Sequence, residues 1–311
     1  MHAVRLISVV LTAGCLLAGC RSDQSTAPVL QTEPETEVTV TETTVPRICN
    51  LVTLGDSISA GYGLERPETQ RYSALLTQKL AAASGVSWND YNYAVSGDDS
   101  SDLIGLLREG TAEKLESADL ICLYIGANNL LGPYTDYLQK ATSVFHMPES
   151  GSGAAGWLGK IASALDNGIN GFTQIQEKVE DGMSRLAADL PAVYEHIRNE
   201  NPDAPLCLMN VYNPYAHVTF GNPVTKETFG EYAGQRIDRV NEILRSFAAS
   251  HPDIIPVNIY EVFAACENVP ILGNLNEGIS KEQKVNVDPH PNKEGQELIA
   301  DAIFEKVGSV R

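Results

Sequence analysis

The stretch "GDSISAGYG", Gly55 to Gly63, puts Gly-Asp-Ser directly after the apolar run "ICNLVTL" and adds two glycines soon afterwards. Such a stretch makes either a tight turn or an exposed nucleophile. A serine hydroxyl is a poor nucleophile near neutral pH, so the second reading requires a base that titrates near working pH, usually histidine. One candidate is His290 in "NVDPHPNKEG". Two further stretches, "NYAVSGDDSSD" and "GANN", join glycines to hydrogen-bonding side chains. Singly, each has an ordinary use: Ser57 as a turn or cap residue, Gly97 as a turn, Asn128 as a loop-stabilising amide. Only in combination do they suggest chemistry.

The intervening elements decide whether these residues can meet. "CNLVTL", "LICLYIGANN" and "APLCLMNVYN" contain short continuous apolar runs bounded by polar turns, as expected of strands covered on both faces. "DIIPVNI" reads as a shorter edge strand, because Pro256 cannot donate to a ladder. Between them lie helical stripes. Leu75, Leu76, Lys79 and Leu80 mark one; Val179, Met183, Leu186, Leu190, Val193 and Ile197 mark a long one with Pro191 as its expected kink; Ile237, Val240, Ile243 and Leu244 mark a third. Alternating strands and helices predict an α/β fold with a mostly parallel sheet between helix layers, and such sheets bind ligands beyond the carboxyl ends of their strands. Three of the four chemical stretches stand at such ends, and the fourth precedes the last helix.

With those blocks in that order, the chain resembles the SGNH hydrolases, the GDSL-type esterase and lipase family, from about Cys49 to the C-terminal helix. The resemblance implies a three-layer α/β/α sandwich around a flavodoxin-like sheet, with Ser57 of "GDSISAGYG" as nucleophile and His290 of "DPHPN" as its base. It also implies an oxyanion hole formed by the backbone N–H groups of Ser57 and Gly97 ("AVSG") and the side-chain amide of Asn128 ("GANN"). Losing one such donor typically costs about 100- to 1,000-fold in rate, and glycine at 97 permits close backbone approach.

The family pattern departs at the third triad member. Its aspartate usually lies three residues before the histidine, where this chain has Val287; Asp288 lies two before. Pro289 and Pro291 bias Asp288 and His290 toward extended backbone, in which side chains two apart project to the same side. Asp288 is therefore the expected orienting group, with the Val287 carbonyl or water as the alternative. Asn129 stands where the family often has aspartate and is expected to support the loop. Asp56 is expected to stabilise the turn and Ser59 to cap or pack locally. Among the other histidines, His217 follows a strand end and could line the pocket, His196 and His251 fall late in helices, and His146 lies in an insertion; none has metal-ligand spacing.

The remaining sequence bounds the context. "MHAVRLISVVLTAGCLLAGC" has a charged start and an apolar stretch shorter than the roughly 20 residues that span a bilayer, so it reads as an export signal. Its ending "LLAGC" resembles the lipobox of bacterial lipoproteins, implying cleavage before a lipidated Cys20 and a membrane anchor facing the extracytoplasmic side. Residues 21–46, rich in Thr, Glu, Pro and Ser, form the expected disordered tether, and 47–311 the expected single domain, with an insertion at about 131–173 that reads as a surface excursion or a lid. A net charge of −18 argues against nucleic acid as a partner. Cys122 and Cys207 read as buried thiols, whereas export would permit a disulfide between Cys49 and Cys266. The expectation is a cofactor-free serine esterase acting on lipid or acetylated-glycan esters; the alternatives are a non-catalytic envelope binding protein on the same fold, or an acyltransferase.

Overall fold

The computed structural model describes residues 47–130, 169–219, 226–274, 286 and 288–308. Five strands form its sheet: β1 (Ile48–Gly55), β2 (Ser87–Asn92), β3 (Leu120–Tyr124), β4 (Leu206–Met209) and β5 (Ile254–Val257). They lie in the order β2-β1-β3-β4-β5 and every pairing is parallel. The α/β expectation is thus met by a wholly parallel sheet among the described residues. β3 and β4 are buried along their whole length, which is why they read as unbroken apolar runs. β5 is an edge, and Pro256 sits in it opposite Leu208. The other edge, β2 ("SWNDYN"), has no apolar run to betray it.

Helices cover both faces. After the short α1 (Ser57–Ala60) and α2 (Pro67–Gln70), α3 (Tyr72–Ser84) packs beside β1 and β2, burying Tyr72, Leu76 and Leu80 while Lys79 pairs with Asp301 at 2.6 Å. α4 (Ser100–Arg108), α5 (Ile169–Glu200) and α6 (Phe229–Ala249) form one layer. α7 (Ile259–Ala264) and α8 (Lys293–Val307) join α3 in the other. All six apolar residues of the long stripe in α5 are buried, and Pro191 lies within the helix. The last residues of the expected insertion already belong to α5. The rest of that insertion, the leader with Cys20, the tether and Val287 lie outside the described residues.

The cysteine pairing left open by the sequence is not formed. Cys49 and Cys266 are free thiols, Cys49 within β1 and Cys266 just past α7 with its thiol donating to the Val262 carbonyl. Cys122 and Cys207 are buried opposite one another in β3 and β4. No helix among the described residues is long and apolar enough to cross a membrane.

Candidate active site

Ser57 is delivered by a one-residue passage from strand to helix. β1 ends at Gly55, Asp56 caps α1 by accepting the Ile58 N–H at 2.9 Å, and Ser57 is the first helical residue. Gly55 has φ +144°, and a Cβ there would lie 2.2 Å from the Tyr124 carbonyl oxygen, so the turn closes against β3 only with glycine. Gly61 ends α1 in the left-handed region, and Gly63 makes room for Leu272. These glycines serve the turn and its packing on the protein itself. Asn92 donates to the Ser59 carbonyl, Gln296 of α8 donates to the Ile58 carbonyl, and the Ser59 hydroxyl pairs with Tyr72 at 2.8 Å. The elbow is therefore braced from three elements, with Asp56 and Ser59 in the local roles expected of them.

His290 Nε2 lies 2.8 Å from Ser57 Oγ, across 233 positions of sequence. Its other nitrogen, Nδ1, lies 2.6 Å from Asp288 Oδ1, and the same oxygen accepts the His290 backbone N–H at 3.0 Å. Asp288 thus folds back on its own chain in an Asx turn, which is how an acid two residues away reaches the imidazole. Burial raises the Asp288 carboxyl, but the imidazole and N–H of His290 outweigh it and hold the group below the usual carboxylate range. Both side chains remain about a fifth to a quarter exposed, so substrate has access.

The segments that carry the expected oxyanion residues Gly97 and Asn128 are tied to the elbow and to each other. The loop after β2 is tied to the elbow by Val95 N–H donating to the Gly55 carbonyl at 3.0 Å. Asn128 donates one amide hydrogen to the Asp98 carbonyl at 2.8 Å, which fixes it beside the Asp98 to Asp99 peptide, one unit beyond Gly97, and leaves its second hydrogen for another acceptor. Gly97 has φ +98° with nothing within 4 Å of a Cβ. Its glycine is demanded by backbone conformation, not by crowding against the protein. Asn129 is fully buried; it accepts the Ser100 N–H and donates to Ser100 Oγ and the Gly182 carbonyl.

Two carboxyls, that of Asp56 next to the serine in sequence and that of Asp98, are raised. Asp56 is pushed up to about 7, chiefly by burial, with nearby Asp98 adding to it and the cap bond to Ile58 opposing. Asp98 is raised to about 6 by burial and by its neighbours Asp102 and Asp99. Sequence reasoning passed over Tyr62, whose ring lies 4.5 Å from the His290 ring, and Tyr212, whose hydroxyl donates to the Pro289 carbonyl at 2.5 Å. The only signal for Tyr62 was its place in "GYG". His217 contacts the Cys266 carbonyl at 3.0 Å, and His251 packs on Tyr194 and Phe247; neither joins the triad.

A hydroxyl, an imidazole and a carboxylate hydrogen-bonded in series make an arrangement suited to acyl transfer. Residues 53–298 match the model of the GDSL-like lipase/acylhydrolase family. No curated protein is matched by the sequence. Among solved structures, the chain is similar to an extracellular lipase from Streptomyces rimosus (19% identity, TM-score 0.55, covering 83% of this chain and 99% of that one). It is also similar to a phospholipase A1 from Streptomyces albidoflavus (21%, 0.55, 83% and 99%). An acetylxylan esterase from Geobacillus stearothermophilus is a third (16%, 0.51, 83% and 94%). At such identities these likenesses establish the fold.

Proposed function

The chain belongs to the GDSL-like lipase/acylhydrolase family, and from that premise we propose that it cleaves carboxylic esters, of lipid or acetylated-glycan type, through an acyl-enzyme on Ser57. The observation that carries this reading is the relay in which His290 Nε2 meets Ser57 Oγ at 2.8 Å while Asp288 holds Nδ1 at 2.6 Å. Ser57 Oγ attacks the ester carbonyl carbon and its proton passes to Nε2. The carbonyl oxygen takes up negative charge facing the N–H groups of Ser57 and Gly97 and the Asn128 amide. The carbon–oxygen bond to the alcohol then breaks, and Nε2 returns the proton to the departing oxygen. Water, deprotonated by the same nitrogen, repeats the cycle on the acyl-serine and frees the acid. Asp288 remains ionised throughout and holds the imidazole in the tautomer that presents a lone pair to Ser57.

The scaffold does not choose between lipid and glycan, since one fold carries many ester substrates. We further propose that Cys20 carries lipid and that residues 21–46 tether the catalytic domain at the extracytoplasmic membrane face. Loss of palmitate labelling and membrane retention in Cys20→Ser would support this, and unchanged retention would refute it.

The deciding experiment is hydrolysis of p-nitrophenyl esters from acetyl to long acyl chains by the full chain, with Ser57→Ala alongside. Activity lost in Ser57→Ala supports the proposal, and the chain-length profile separates a deacetylase from a lipase. Equal rates in both proteins would remove it. Reaction of Ser57 with an active-site phosphonate separates a hydrolase from a binding module, and product that depends on an added alcohol would point to acyl transfer.

A further inference from the structure

Three large hydrophobic side chains are exposed among the described residues: Ile48, Tyr62 and Val95. Ile48 opens β1, at the end of the strand away from Ser57. Tyr62 is 51% exposed, yet its ring is tilted against His290 with centroids 4.5 Å apart. It is held there by backbone. Tyr62 N–H donates to the Ser57 carbonyl at 2.9 Å, Gly61 and Gly63 on either side have positive φ, and Leu272 fills the space a Cβ at Gly63 would take. Leu272 in turn donates its N–H to the His290 carbonyl at 2.8 Å. Tyr62, Leu272 and His290 are therefore joined in one cluster.

We infer that Tyr62 is the wall of a leaving-group subsite, and that the esters preferred by this site carry a six-membered ring, aromatic or pyranose, in their alcohol half. The inference rests on the esterase reading above. Its basis is the path of the proton. The departing oxygen must come within about 3 Å of His290 Nε2 to receive it. Whatever is bonded to that oxygen then lies beside the imidazole, where the half-exposed Tyr62 ring is the adjoining apolar surface. An aromatic face offers offset or edge contact to a second aromatic ring at about 4.5–7 Å between centroids, and an apolar surface on which the C–H face of a pyranose can lie, and little to a short alkyl group. The acyl half lies on the other side of the carbonyl carbon, away from Tyr62.

The test compares benzyl acetate with ethyl acetate, and a monoacetylated methyl pyranoside with ethyl acetate, as ratios taken in each protein, so that differences in alcohol acidity cancel between wild type and variant. All give the same acetyl-enzyme, so deacylation is common to them, and the ratio of kcat/KM values reads acylation alone. In Tyr62→Ala the ring-to-ethyl ratio should fall about three- to tenfold, the scale of one lost aromatic contact, whereas Tyr62→Phe should keep it within about twofold. Acetyl against butyryl preference with ethyl as the common alcohol should be the same in all three proteins. Which ratio falls, benzyl or pyranoside, identifies the ring. If both ratios are unchanged in Tyr62→Ala, whatever happens to the absolute rates, the subsite is refuted while the esterase reading stands. A shift in acyl preference instead would also refute it, by placing Tyr62 on the acyl side. Failure of the wild-type chain to cleave any of the esters would overturn both.

Discussion

Replacing Asp288 by asparagine and by alanine should give very different losses, because one oxygen of this residue has two tasks. Asp288 Oδ1 accepts both the His290 backbone N–H and Nδ1 of the imidazole. An asparagine can keep its carbonyl oxygen in that place. Turning the amide round would set its NH2 group against the backbone N–H, so the structure selects the orientation that still accepts from Nδ1. The imidazole then keeps its proton on Nδ1 and its lone pair toward Ser57, and only the negative charge is lost. Charge-assisted hydrogen bonds are about twice as strong as neutral ones, so roughly 1–2 kcal/mol of imidazolium stabilisation disappears. That converts to about 5- to 30-fold in kcat/KM. In triads where the acid-to-amide change inverts the histidine tautomer, the loss is about 10,000-fold.

Asp288→Ala removes the acceptor altogether. His290 Nδ1 and the backbone N–H lose their partner, the ring is free to take the wrong tautomer, and the loss should approach about 10,000-fold. The assay is kcat/KM for p-nitrophenyl acetate at fixed pH, with circular dichroism to confirm folding and Ser57→Ala as the floor. Equal losses in the two variants would refute the shared-oxygen argument. Full activity in Asp288→Asn would refute any role for the charge.

Two further outcomes follow from neighbouring groups. The adjacent asparagines should separate rate from stability: Asn128→Ala should lose about 100- to 1,000-fold in kcat with folding retained, whereas Asn129→Ala, which strips bonds from Ser100 and the Gly182 carbonyl, should cost about 1–3 kcal/mol in urea unfolding. Asp56, raised to about 7 by burial, ionises in the unfolded chain near pH 4. Between those values the unfolded state binds fewer protons, so stability falls as pH rises from about 4 to 7 and is level above, a drop of up to about 4 kcal/mol. Asp56→Asn keeps the cap and should abolish that component; identical urea midpoints against pH in wild type and variant would show that the buried carboxyl is not the cause.

The legible parts of this chain are those whose physics is local. β3 and β4 are buried on both faces and so appear as apolar runs, and the α5 stripe repeats at helical spacing. β2 is half-exposed and polar, held in the sheet by pairing with β1 and by Asp90 bonding Arg71 and Ser73 of the neighbouring helix region, none of which leaves a periodic trace. Ser57 and His290 can be grouped from sequence because strand ends converge and because family blocks recur in order. Tyr62 on His290 and Tyr212 on Pro289 are contacts between distant residues of ordinary type, and beyond the place of Tyr62 between two glycines nothing in either stretch announces them. Gly97 shows the limit differently: the residue is legible as special, but its cause, a positive φ in open space, is not.

The position of the acid, two residues before the histidine instead of three, is best understood by following the backbone of this loop, since every buried polar group there must find a partner. Asp288 N–H donates to Asn286 Oδ1, and its carbonyl accepts from Gly273, which has no Cβ to obstruct the approach. Pro289 has no N–H, and its carbonyl accepts the Tyr212 hydroxyl. His290 accepts from Leu272 at its carbonyl, which leaves one donor, its own N–H, and Asp288 Oδ1 takes it. The carboxylate is thus placed by completing the backbone's own hydrogen bonding. Having been placed, its oxygen lies 2.6 Å from Nδ1, and the imidazole is oriented by an atom that the loop's own backbone also holds. A spacing of three would leave that N–H to be satisfied otherwise; a spacing of two joins the structural bond and the catalytic one in a single atom.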